Sequence, residues 1–219
     1  MPPKILAVGN LKGGTSKTTL SVNIACALSA GRKVRLVDAD GQRSATAWAE
    51  AGELPIEVLP APLDDIDQAQ RWMTDIETAS ADLVVIDLPP NMAPATAAAL
   101  MVCDVVVIPV RASMVDITAT AEALAMVADA RQRRSGELPK AFLVPSQVDR
   151  RTAAGREIEA ALHELGEPVG PAVGYRTAFA ESFGSWVGAY APRSAGHVEI
   201  QTLAAVIAKT LKLKVKANG

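Results

Sequence analysis

The sequence predicts an α/β fold: a mostly parallel, twisted sheet with helices on both faces. Two observations carry this. Short β-branched runs alternate with longer alanine-rich stretches of helical spacing along the 219 residues. The inner runs, LVVI at 83–86 and VVVI at 105–108, are apolar without a break, as strands covered on both faces are. No repeat, linker or low-complexity run divides residues 1–219, so a single domain is expected.

The elements follow in order. KILAVG (4–9) reads as a first buried strand, and KTTLSVNIACALSAG (17–31) as a helix ended by Gly31. KVRLVDAD (33–40) is a second strand and PIEVLP (55–60) a short third. Residues 65–79 have helical spacing at Ile66, Ala69, Trp72, Met73 and Ile76. Strands are expected at 82–90 and 104–110, flanking a helix from Pro94 to Cys103. A long helix spans 114–134, a strand 140–148, and a helix closed by Gly166 covers 153–166. PAVGYR (171–176) reads as a last short strand before a terminal helix at 196–212. In such sheets ligands sit at the carboxyl ends of the strands, so the informative residues should follow the strands.

Composition limits the partners. The chain is 49% apolar and 21% charged with a net charge of −2, so nothing global demands a nucleic acid or membrane. The charge is uneven, however: residues 1–139 carry 12 basic against 17 acidic side chains, and residues 140–219 carry 10 against 7. A tail from about 209 to 219 holds Lys209, Lys212, Lys214 and Lys216 without an acid, a pointer to an anionic surface. Cys26 and Cys103 sit in apolar contexts and read as reduced core cysteines of a cytosolic protein. The N-terminal apolar run is too short for a signal peptide, and no run is long enough to span a membrane.

GNLKGGTSKTTLS, residues 9–21, follows the first strand and opens the first helix. That is the setting of a phosphate-binding loop, although the usual G-x-x-x-x-G-K-[ST] glycines fall here at Leu11 and Ser16. Gly13 and Gly14 let the loop through Thr15 and Ser16 bring backbone N–H groups close to phosphate oxygens. The helix N-terminus adds its partial positive charge. Lys17 would reach the β- and γ-phosphates, the Thr18 hydroxyl would ligate Mg²⁺, and Thr19 could bond the α-phosphate. Asp38 and Asp40 end the second strand and Asp87 the fourth, where a phosphoryl-transfer enzyme needs a carboxylate near Mg²⁺ and a group to orient water.

KGGTSKTT matches K-G-G-x-x-K-[ST], the deviant Walker A pattern, and on it the chain resembles the ParA/MinD group of P-loop ATPases. The resemblance implies a single-domain P-loop NTPase fold, ATP and Mg²⁺ as cofactors, and a nucleotide-sandwich homodimer. In that group the first lysine reaches the partner's ATP, so Lys12 would act in trans, stabilising charge on the transferring phosphoryl group. DADGQ resembles the group's D-x-D-P-Q, with Gly41 in place of proline. It assigns Asp40 to water activation, and Asp38 and Asp87 to the Mg²⁺ shell. DLPP at 87–90 resembles the ParA type in particular, and Asp116 falls near a dimer-contact segment. VPSQVD sits where the group contacts adenine, which makes Pro145 and Gln147 candidates. QVDRRT and YRTAFAESFG resemble two segments that help ParA proteins bind DNA without sequence preference. This carries over to Arg151 and Arg176, with Arg150, Arg156 and the lysine tail added by charge alone.

The function implied is that of a small ParA-type ATPase without an N-terminal helix-turn-helix, cytoplasmic and nucleoid-associated. It would dimerise on ATP, coat DNA and position a plasmid, chromosome origin or protein body, with a ParB-like partner stimulating weak hydrolysis. The alternative is a Min-type membrane-cycling ATPase, which needs an amphipathic tail that LKLKVK, with its period of two, does not supply.

Overall fold

The computed structural model describes residues 2–213. Six strands, β1 (Lys4–Val8), β2 (Val34–Asp38), β3 (Glu57–Pro60), β4 (Leu83–Asp87), β5 (Val105–Val110) and β6 (Lys140–Pro145), form one sheet in the order β3-β2-β4-β1-β5-β6. Every pairing among them is parallel. The central strands alternate side chains between two cores, which explains their unbroken apolar runs.

On one side Ile5, Ala7, Val84 and Ile86 pack with Trp72, Ala98, Val127 and Ile158. These come from α3 (Ala69–Glu77), α4 (Pro94–Val102), α5 (Met114–Arg133) and α6 (Ala153–His163). On the other side Leu6, Val8, Leu83 and Val85 pack with Leu20, Trp48, Phe179, Val187 and Ile200. These belong to α1 (Lys17–Leu28), α2 (Ser44–Glu50), α7 (Thr177–Glu181), α8 (Val187–Tyr190) and α9 (Ala195–Thr210). Cys26 and Cys103 are free and buried, and burial pushes both thiols up to about 12.

One expected element is corrected. PAVGYR forms no extended strand: the chain pairs with β6 and the residues after it through isolated bridges, Leu143 with Val169 and Val148 with Gly174. Pro171 lies between them and offers no N–H to a ladder. Lys214 and Lys216 of the expected basic tail lie outside the described residues.

Candidate nucleotide site

The register of the sheet brings the candidate carboxylates together. Asp38 at the end of β2 stands beside Asp87 at the end of β4, and Val8 at the end of β1 aligns with Asp87 on the other side. The loop from Gly9 therefore leaves the sheet directly over both acids.

The loop needs two left-handed residues. Gly14 has φ +76° and Ser16, immediately before α1, has φ +68°. Glycine adopts this backbone freely; serine does so at a cost. Lys17 is the first residue of α1 and is 7% exposed. Its Nζ folds back and donates to the Lys12 carbonyl at 3.0 Å. Burial lowers its pKa, while Asp87 and Asp40 oppose that shift. Thr15 Oγ1 donates to the same carbonyl at 3.3 Å.

Asp87 is buried, and its two oxygens accept from Thr18 Oγ1 at 2.7 Å and Ser21 Oγ at 2.9 Å. Burial is the main reason its carboxyl is pushed up to about 7; the neighbouring Asp38 adds to the rise, and Thr18, Ser21 and Lys17 oppose it. A carboxylate oxygen touching a threonine hydroxyl at a helix start is a hard-oxygen pair suited to Mg²⁺, which keeps waters and phosphate oxygens as its other ligands. No group of three or more His, Cys, Asp or Glu side chains that could hold a metal ion exists among the described residues.

Asp38 is fully buried and works locally. One oxygen accepts from Thr46 N and Thr46 Oγ1, both at 2.8 Å, and the other from Asp40 N at 3.3 Å. It thus ties β2 to the start of α2. Asp40 is partly exposed, and its Oδ1 accepts from Gln42 N at 3.0 Å in a short turn.

Gln147 closes the site from β6. It has φ +53°, and its Nε2 donates to Gly14 O at 3.1 Å and Ser16 Oγ at 2.6 Å. Ser16, Thr19, Ser146, Gln147 and Tyr175 line a cleft of about 660 Å³ beside the loop. Pro145 is buried as the last residue of β6 and does not line that cleft, whereas its neighbour Ser146 does.

Lys12 lies on the other side of the loop. Its Nζ is 3.4 Å from Asp116 Oδ1, and Arg111 Nη2 is 3.3 Å from Asp116 Oδ2. Asp116 is in the first turn of α5, fully buried, with Ser113 as the helix cap.

Arg151 and Arg176 both border a cleft of about 800 Å³, together with Arg150, Tyr175 and Glu199. Each has an acid partner. Arg151 grips Asp149 through Nε and Nη2 at 2.7–3.2 Å and holds that carboxyl down at about 2. Arg176 pairs with Glu199 at 2.7 Å and Arg150 with Glu159 at 2.6 Å. Arg156 Nη1 donates to the Arg151 carbonyl at 2.9 Å. Lys209 and Lys212 are exposed. No helix among the described residues is long and apolar enough to cross a membrane.

Ser21, Thr46 and Arg111 are additions to the residues expected from the sequence. Ser21 is one helical turn beyond Lys17 and is within reach of a spacing argument. Thr46 depends on the turn from β2 into α2, and Arg111 on the approach of β5 to the phosphate loop.

A parallel sheet whose first strand feeds a glycine loop into α1, beside two strand-end aspartates, defines a P-loop nucleotide-binding protein. Comparison with known proteins narrows this. Residues 6–185 match the profile of the CobQ/CobB/MinD/ParA nucleotide binding domain, and the chain belongs to that family. It is 36% identical over 167 residues to the maintenance of carboxysome distribution protein A of Halothiobacillus neapolitanus, covering 75% of this chain and 76% of that one. It is 32% identical over 223 residues to the chromosome-partitioning ATPase Soj of Thermus thermophilus, covering 87% and 90%. Among solved structures, the ATP complex of a Cyanothece McdA variant superposes with a TM-score of 0.77 at 17% identity, covering 99% of both chains. The Mg-ADP complex of the septum site-determining protein MinD from Pyrococcus horikoshii gives 0.76 at 19%, covering 98% of this chain and 99% of that one. These two likenesses show the shared fold.

Proposed function

We propose that the protein is an ATP-driven positioning ATPase. It binds ATP and Mg²⁺, dimerises, binds DNA without sequence preference and releases it on slow hydrolysis stimulated by a ParB-like partner. The names of the two relatives, one maintaining carboxysome distribution and one partitioning chromosomes, support a cargo-positioning role.

The observation that carries the reading is the different setting of the two lysines. Lys17 is buried inside its own loop, whereas Lys12 points away from it with 32% of its side chain exposed. Lys17 serves the phosphates of its own chain and Lys12 those of a partner. Thr18 and Asp87, with Asp38 beside Asp87 in the sheet register, would hold Mg²⁺, which would neutralise phosphate charge. Asp40, whose Oδ1 accepts from Gln42 N in its turn, orients the attacking water. Gly13 to Thr19 cradle the phosphates, and Gln147 and Ser146 face the base.

Arg151 and Arg176 support the DNA contact. Gly174, Tyr175 and Arg176 line both their cleft and the cleft beside the phosphate loop, so the two are neighbours. A phosphate backbone would compete with Asp149 and Glu199 for these guanidiniums, which makes the contact conditional and salt-sensitive.

A titration of duplex DNA with ATP, ADP and no nucleotide, at two salt concentrations, tests the proposal. Binding in ATP alone, weakening steeply with salt and lost in Arg151→Ala/Arg176→Ala, is expected. Nucleotide-independent or absent binding would refute the DNA step.

A further inference from the structure

We propose that Asp116 and Arg111 form a counter-ion exchange site for Lys12: Asp116 holds Lys12 within its own chain, and Arg111 takes over the carboxylate when Lys12 leaves for the partner's nucleotide. This rests on the reading that Lys12 acts in trans.

Three elements meet at this point. Lys12 comes from the phosphate loop, Arg111 from the first position after β5, and Asp116 from the first turn of α5. Asp116 is 0% exposed, and an ionised carboxylate at that depth needs a cation beside it. It has two. Lys12 stands 3.4 Å from Oδ1 and Arg111 3.3 Å from Oδ2, with the Ser113 hydroxyl also on Oδ2. One cation would be enough, so the second can depart.

The polar atoms left over show which one. Among the described residues, Asp116 Oδ1 accepts no hydrogen bond and Arg111 Nε donates none, although both are buried. An unused acceptor and an unused donor thus lie on the two members of one ion pair. A guanidinium offers parallel N–H groups that match both oxygens of a carboxylate. A small turn of Arg111 would let its fork grip Oδ1 and Oδ2 together, satisfying both atoms. Lys12 holds Oδ1 by charge without a closed hydrogen bond, so it is the partner displaced. The lysine is then delivered to the dimer face without stranding a buried charge behind it. Arg111 also lies beside the phosphate loop, with Nη1 3.8 Å from where a side chain at Gly14 would begin, so the exchange takes place next to bound phosphate.

The test is ATP-dependent dimerisation followed by sedimentation velocity, with nucleotide affinity of the monomer measured separately by a fluorescent ATP analogue. Arg111→Ala should raise the ATP midpoint for dimerisation by about tenfold or more, because Lys12 can no longer leave a paired Asp116. Monomer affinity should stay within about twofold. Removing the charge as well, in Arg111→Ala/Asp116→Asn, should restore dimerisation to within about threefold of wild type, since nothing is then left unpaired. Asp116→Asn alone should dimerise at lower ATP than wild type. Wild-type dimerisation by Arg111→Ala overturns the exchange. So does a double variant as defective as Arg111→Ala, which would instead make Arg111 a direct contact to nucleotide or partner. Lys12→Ala separates the two levels: dimerisation like wild type in that variant overturns the trans reading itself, and the exchange with it.

Discussion

Ser16 stands where a phosphate loop usually has glycine, and its φ of +68° shows why glycine is usual. A left-handed L-residue costs about 1–2 kcal/mol. The Ser16 hydroxyl recovers part of this by accepting from Gln147 at 2.6 Å, a bond worth about 1 kcal/mol. The two effects nearly cancel. Ser16→Gly should therefore leave stability within about 1 kcal/mol of the parent in chemical denaturation, whereas Gly14→Ala, with no such bond to gain, should lower it by about 1 kcal/mol or more. Asp87 gives the second prediction at this scale. Its pKa rises from 3.8 to about 7 on folding, so between those values the folded chain binds more protons than the unfolded one. That contribution is fully present below the unfolded value and is lost as pH rises through about 7. In Mg²⁺-free buffer, raising the pH from roughly 5.5 to 8 should cost on the order of 2 kcal/mol through this group. Asp87→Asn should remove that part of the slope; an unchanged slope in the variant would place the dependence elsewhere.

At the scale of elements, α2 links the two functional regions. It begins at the Thr46–Asp38 bonds, and its Trp48 Nε1 donates to Ser185 O at 2.7 Å while the ring lies 5.3 Å from Phe183. The segment that carries Asp40 is thereby packed onto the segment that follows Arg176. Gly52 makes this approach possible, because a methyl there would stand 2.1 Å from the Gly184 carbonyl oxygen. Backbone cannot yield as a side chain can, so Gly52→Ala should cost about 1–3 kcal/mol, read as a lowered melting temperature. None of this link was legible in the sequence. Helices α2, α7 and α8, with seven, five and four residues, are too short to show a helical period. The six strands and the long helices were legible because their apolar spacing is set locally, and they ended within a few residues of where expected. PAVGYR departs from the expected strand because its backbone bonds to Pro145 and Val148 stay isolated and never extend into a ladder. The phosphate loop and the strand-end aspartates were legible for a related reason: the sheet places whatever follows its strands at one edge. Arg111 was not, since a lone arginine after a strand carries no pattern until Lys12 and Asp116 are brought to it.

For the whole molecule, family membership and fold leave one question above the rest: whether a single chain holds a complete site. Lys17 and Lys12 lie five residues apart yet face different surroundings, one buried in its loop and the other 32% exposed beside α5. If each chain lends Lys12 to its partner, two inactive variants can repair one another. Lys12→Ala keeps its own Lys17, and Lys17→Ala keeps a Lys12 to donate. The most direct measurement is ATP hydrolysis by each variant alone and by their equimolar mixture. Both variants should be inactive alone. The mixture should recover turnover, about a quarter of wild type where the chains pair at random, since each mixed dimer holds one complete site of its two. A mixture as inactive as its components, or full activity in Lys12→Ala alone, would contradict the shared site.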